Sequence, residues 1–132
     1  FPKLLKVGSW AFFNLKIKEL NSDNFPNVQT IGDGAFYNCP IVSVDLPSLE
    51  SIGDGAFYKC PIVSVDLPNL VLVGENGIRN CTNLKSFSAP MLREIGKYCF
   101  SDCSQLNSIS CNLESEKFIC DECGNCTICN GE

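Results

Sequence analysis

CPIVSVDLPSLESIGDGAFYKC, residues 39–60, decides the fold, because its apolar positions fit no helix and the phrase recurs in phase along the chain. Ile41, Val44, Leu46, Leu49 and Ile52 fall at intervals of three, two, three and three. The matching sets are Ile62, Val65, Leu67, Leu70, Val73 and Leu84, Phe87, Ala89, Leu92, Ile95. Val44 and Leu46 alternate around Asp45, the period of a strand whose side chains point in turn to core and solvent. Short parallel strands are therefore predicted at 43–46, 64–67, 86–89 and 108–111.

Working outward, the rungs start at Phe1-Pro2, Phe25-Pro26, Leu46-Pro47, Leu67-Pro68 and Ala89-Pro90, with proline spacings of 24, 21, 21 and 22 residues. Six residues after each proline stands a glycine: Gly8, Gly32, Gly53, Gly74 and Gly96. Four further on comes Phe12, Phe36, Phe57, Ile78 or Phe100, and three beyond that Leu15, Cys39, Cys60, Cys81 or Cys103. A period of this size marks a solenoid, in which each rung buries its apolar face only against its neighbours.

Each proline ends its strand, since it lacks an N–H and fixes φ. A second short extended piece is expected near 50–52 and its equivalents. The glycine then admits a tight bend. In the following DGAFYNC segment, Phe and Cys three residues apart would share one face of a short helical or 3₁₀ turn on the convex side. The fold class expected is thus a β-rich repeat solenoid. Asn112 replaces the proline and Glu116 stands where Ile52 would, so a sixth rung is incomplete. The solenoid is expected over residues 1–113, with a cysteine-rich tail over 114–132. Because Phe1 is already in phase with the repeat and the first rung has no cap, a fragment of a longer protein is expected.

The phrase L-P-x-L-x-x-I-G-x-x-A-F-x-x-C, as in residues 46–60, resembles the BspA-like class of leucine-rich repeats found in large surface proteins of anaerobic bacteria and protists. The resemblance implies a right-handed solenoid with the first strand of each rung on the concave side. Leu49, Leu70 and Leu92 occupy the position that carries asparagine in the commoner leucine-rich pattern, so no asparagine ladder is expected.

Net charge of -5 with ten Lys and Arg argues against a phosphate-backbone partner. No apolar run approaches the length of a membrane span, and no secretory-type leader is present in this chain. With no histidine, neither a Ser-His nor a Cys-His arrangement can be built, and no phosphate loop follows a strand, so an enzyme is not expected. Asp45 and Asp66 recur at one repeat position; a paired acid/base site is conceivable there, but solvated surface carboxylates are the plainer reading.

Ten cysteines point toward an oxidising compartment. Cys39, Cys60, Cys81 and Cys103 form one column whose slot Leu15 fills in the first rung, which reads as small hydrophobic filling. Stacked Cβ vectors run parallel, which disfavours disulfides within the column. Cys99 takes the slot of Ala11, Ala35 and Ala56, and Cys111 that of Leu46; core filling and a local disulfide stay open for both. The tail CDECGNCTIC places Cys120, Cys123, Cys126 and Cys129 at a strict spacing of three. A disulfide-rich stalk, a zinc site, an iron–sulfur site and a redox pair are the readings, the zinc site weakened by the short gap between its two knuckles and the iron–sulfur site by a last interval one residue short with no proline after it. The tail also resembles the CxxC-rich tracts of some parasitic protist surface proteins. Asn80-Cys81-Thr82 and Asn125-Cys126-Thr127 fit the N-glycosylation sequon, making Asn80 and Asn125 candidate acceptors.

The candidate ligand-binding positions are the outward residues of the concave strands: Ser43, Asp45, Ser64, Asp66, Ser86, Ser88, Ser108 and Ser110, with Lys18 and Asn21 in the first rung. The expected function is a non-enzymatic, extracellular or cell-surface module for adhesion or protein binding, monomeric, with a protein or glycan ligand on that face. No cofactor is expected. The alternative is a zinc-binding module in which the tail cysteines hold the metal and the repeats serve as scaffold.

Overall fold

A computed structural model describes residues 3–113. Each rung contributes two very short strands, and like strands stack into two parallel sheets. The first sheet comprises β1 (Lys6–Val7), β3 (Thr30–Ile31), β5 (Ser51–Ile52), β7 (Leu72–Val73) and β9 (Glu94–Ile95). The second comprises β2 (Glu19–Leu20), β4 (Ser43–Val44), β6 (Ser64–Asp66), β8 (Ser86–Ser88) and β10 (Ser108–Ser110). Registers place repeat on repeat: Val44 faces Val65 and Val65 faces Phe87, while Ile31 faces Ile52 and Ile52 faces Val73. Among the described residues the chain contains no helix.

The second-sheet strands are shorter than the four residues expected. The carbonyls of Leu46, Leu67 and Ala89 are committed to turns, accepting from the N–H groups of Leu49, Leu70 and Leu92. Pro47, Pro68 and Pro90 sit at the second position of these turns, where their fixed φ is favoured. Each strand therefore leaves its ladder one or two residues before its proline.

The convex segment also departs from the expected helical or 3₁₀ turn. It is a chain of overlapping β-turns: Ala35 N–H donates to Gly32, Tyr37 to Gly34 and Cys39 to Phe36. Gly34 and Asn38 hold φ of 60° and 59°, the left-handed region that interrupts a helical run. The intervening N–H groups point out of the rung. Those of Gly34, Phe36 and Asn38 donate to the carbonyls of Asp54, Ala56 and Tyr58 in the next rung. Alternation between turn bonds and cross-rung bonds satisfies the backbone here as a sheet would, and a helix would forfeit the cross-rung half.

Between the sheets and this ridge lies a continuous core. Phe36 and Phe57 stack with ring centroids 5.6 Å apart and planes 8° from parallel, and Phe12 stacks on Phe36 at 5.2 Å. Leu49, Leu70 and Leu92 are buried, consistent with their replacing a polar ladder. Each fully buried Phe or Leu contributes about 1.5–3 kcal/mol, gained only when a neighbouring rung covers it. In the first rung Leu15 is half exposed, whereas Cys39, Cys60, Cys81 and Cys103, its counterparts inside the stack, are covered.

The close approach of rungs explains the glycine column. A Cβ on Gly53 would lie 2.6 Å from the Asp33 nitrogen and 2.7 Å from the Gly32 carbonyl carbon. Backbone occupies the space where a side chain would go, so the position takes glycine.

Candidate binding surfaces

On the second sheet, alternation aims the predicted residues outward. Ser43, Asp45, Ser64, Asp66, Ser108 and Ser110 are exposed and Ser86 and Ser88 half-buried, while Val44, Val65 and Phe87 between them are buried. Ser64 faces Ser86 and Ser86 faces Ser108; Asp66 faces Ser88 and Ser88 faces Ser110. One first-rung assignment shifts by a residue: Glu19, not Lys18, stands opposite Ser43. Lys18 instead aligns with Val42, whose N–H its carbonyl accepts. Asn21 is half-buried, its side-chain oxygen accepting from the N–H groups of Asp23 and Asn24 at 3.0 and 3.2 Å. The loop after β2 therefore occupies that side chain. The face as a whole offers small hydroxyls and carboxylates, without an aromatic ring.

The cysteine column is more than apolar filling. The thiols of Cys39, Cys60, Cys81 and Cys103 donate to the carbonyl oxygens of Phe12, Phe36, Phe57 and Ile78, one rung back, at 2.9, 3.1, 3.1 and 3.1 Å. Leu15 holds the same turn position, its N–H donating to Phe12 as that of Cys39 does to Phe36, but it has no thiol to donate and is half exposed where the four cysteines are buried. Burial pushes the Cys60 thiol up to about 12 and raises those of Cys39 and Cys81 as well, which keeps all three protonated and poorly nucleophilic. Cys39, Cys60 and Cys81 are free thiols. Part of the high cysteine content thus serves packing and speaks less for an oxidising compartment than the count alone. Cys99 is fully buried in the alanine column and Cys111 half-buried in the leucine column.

Asn80 is half-buried with φ of 62°, and its backbone N–H donates to Ser101 at 2.8 Å; Thr82 is exposed. Asn125 and the tail cysteines Cys120, Cys123, Cys126 and Cys129 lie outside the described residues. Within the described residues no group of His, Cys, Asp and Glu is arranged to hold a metal ion, and no helix is long and apolar enough to cross a membrane.

A second surface, absent from the sequence reading, lies on the turn ridge. Trp10 and Phe13 are exposed, and they meet Tyr37 with centroid distances of 5.8 and 5.4 Å. Tyr37 in turn stacks on Tyr58 at 4.8 Å with planes 4° apart. Beside these rings runs a row of exposed carboxylates, Asp33, Asp54 and Glu75. Asp33 Oδ1 accepts from the Asp54 N–H at 2.8 Å and Asp54 Oδ1 from the Glu75 N–H at 2.9 Å, so each rung anchors the next. Rings and carboxylates line a groove of about 500 Å³ that ends at Asn76 and Arg79. The available signal was Trp10 itself, a large residue with φ of 60° in the slot where Gly34 and Gly55 stand.

The pattern of the BspA type leucine rich repeat region, in six copies, matches residues 5–127. The chain belongs to the BspA-type leucine-rich-repeat family. That match carries the repeats past Leu113, beyond the described structure. No curated protein and no solved structure matches the chain. As a BspA-type chain it is a repeat module of the protein-binding kind, from a family that is generally non-enzymatic and is typically found on bacterial cell surfaces.

Proposed function

We propose that this BspA-type array is a non-enzymatic adhesion or protein-binding module, displayed on a cell surface or in the extracellular space. Its ligand, a protein or glycan, lies across the outer face of the second sheet, the concave side implied by the family resemblance. One observation carries the reading. Serine recurs in register on β4, β6, β8 and β10, with Asp66 on β6 and Asp45 just after β4, all aimed away from a core filled by their neighbours. Such side chains form hydrogen bonds at little entropic cost but supply no aromatic anchor, so affinity accumulates over many rungs. Adhesion and surface display rest on the family's usual habitat together with this extended polar face.

The test is a labelled chain applied to an array of secreted proteins, cell-surface proteins and glycans, in parallel with the Asp45→Arg, Asp66→Arg double variant. The expected result is unchanged circular dichroism and melting temperature in the variant, with loss of the hits. Hits that persist in a folded double variant overturn the face; unfolding of the variant overturns the placement of these side chains in solvent.

A further inference from the structure

The groove on the turn ridge is a separate surface from the serine and aspartate face, and its chemistry is different. We propose that it docks a basic segment of a partner protein, seating a lysine or arginine side chain against the exposed aromatic faces and beside the carboxylate row.

Charge complementarity selects this occupant. Asp33, Asp54 and Glu75 are all exposed, and Asp33 and Asp54 each commit one oxygen to a backbone N–H of the next rung. That bond fixes the two aspartates in a row without neutralising them. The one ion pair among the described residues joins Arg79 to Asp102 at 3.4 Å. Arg79 reaches the end of the groove, where its guanidinium pairs with Asp102, donates to Asn76 at 3.1 Å and lies 5.6 Å over the Tyr98 ring, and it forms no ion pair with Asp33, Asp54 or Glu75.

The rings favour the same guest. A cation within about 6 Å of an aromatic centroid is attracted by the ring's negative face, most strongly over tryptophan. This ridge already uses that contact internally: Lys59 Nζ sits 5.8 Å over Tyr58, and Arg79 over Tyr98. Trp10 has one face packed on Gly34 and remains 54% exposed, with no cation of the described residues over it. The tryptophan thus offers the strongest such face on the ridge, adjoining the carboxylates that would hold the rest of a basic chain. A neutral sugar would use the rings but leave the row of charge unanswered, and a polyanion would be repelled by it.

Trp10 is the single tryptophan of the chain, so its emission reports on this site directly. The probe is a fluorescein-labelled decalysine peptide, with binding followed by tryptophan emission and by peptide anisotropy. Saturable binding is expected, together with a change in Trp10 emission. Asp33→Asn with Asp54→Asn keeps both backbone acceptors while removing two charges, and should weaken binding about tenfold or more. Trp10→Gly places at this slot the residue found at Gly34 and Gly55, and should weaken anisotropy binding by a similar factor without loss of fold. Glu50→Gln with Glu94→Gln removes the same charge from exposed positions elsewhere and should leave binding unchanged. Equal weakening by the two charge-removing pairs would overturn the proposal in favour of diffuse attraction to an acidic protein. Absence of saturable binding, or saturable binding of maltotetraose with none of decalysine, also overturns it. Melting curves of each variant separate loss of the site from loss of the fold.

Discussion

The Cys60 thiol lies 3.1 Å from the carbonyl oxygen of Phe36, a full rung back along the chain. That oxygen already accepts the turn bond from the Cys39 N–H at 3.1 Å, so the thiol takes its second lone pair. The same contact recurs at Cys39, Cys81 and Cys103, which makes the column a set of small donors tying each rung to the one before it.

Thiol protection follows. Cys39, Cys60 and Cys81 are buried and held protonated, and the thiolate is the reacting species. Brief alkylation of the native protein followed by mass spectrometry should leave these three unlabelled, and denaturant should expose them together. Rapid native labelling of Cys60 would contradict its placement.

Stability should fall in alkali with a defined sign. Cys60 is raised from 9.0 to about 12 on folding, so above the unfolded value the unfolded chain loses its proton first. The contribution is complete below pH 9, and is lost as pH rises through the window from 9 to about 12. Cys39 and Cys81 act in the same direction. Chemical denaturation at pH 8 and pH 10.5 should show the loss, and Cys60→Ala should reduce the difference.

Gly53→Ala should cost about 2 kcal/mol or more, although the new group is one methyl, because it would press on the Asp33 nitrogen and the Gly32 carbonyl carbon. Urea midpoints measure this. Gly8→Ala is the matched control, since a Cβ there meets nothing within 4 Å.

Lys59→Asn should stabilise by about 0.5–1 kcal/mol. Lys59 holds φ of 63°, a conformation that asparagine tolerates better. In the rung before, Asn38 Nδ2 donates to Asn14 Oδ1 at 2.7 Å, and the new amide can extend that pair. The loss of the Lys59 contact over Tyr58 offsets part of the gain. A lower melting temperature would show that the cation contact outweighs the backbone relief.

The stack and its outward serines were legible because period-two alternation survives in every rung: Val44 and Val65 go in, Ser43, Asp45, Ser64 and Asp66 go out. The ridge was not. Phe and Cys three apart suit a helical turn and the last of three overlapping β-turns equally. Of the two left-handed slots that break a helical run, one is filled by Trp10, Gly34, Gly55, Asn76 and Tyr98, so no single residue type announces it; the other holds Asn14, Asn38, Lys59, Asn80 and Asp102, a mostly Asn and Asp column that carried the signal and reads equally as a solvent-facing polar position. The aromatic groove was hidden for a related reason. Trp10 belongs to the first of these slots and Tyr37 and Tyr58 to a third, so the contact joins different columns of neighbouring rungs, which no alignment of like residues brings out.

The backbone-to-backbone cross-rung bonds of the ridge all run one way. Trp10, Phe12 and Asn14 donate forward to the second rung, and the pattern holds through Asn76, Ile78 and Asn80 donating to Lys97, Cys99 and Ser101. Along the first sheet the sense is reversed, with Gly32, Gly53, Gly74 and Gly96 donating back to Val7, Ile31, Ile52 and Val73, so the two rows of peptide dipoles oppose one another. Each inner rung therefore gives amide hydrogens to the rung after it along the ridge and to the rung before it along the first sheet, so a rung added at either end is gripped by both rows.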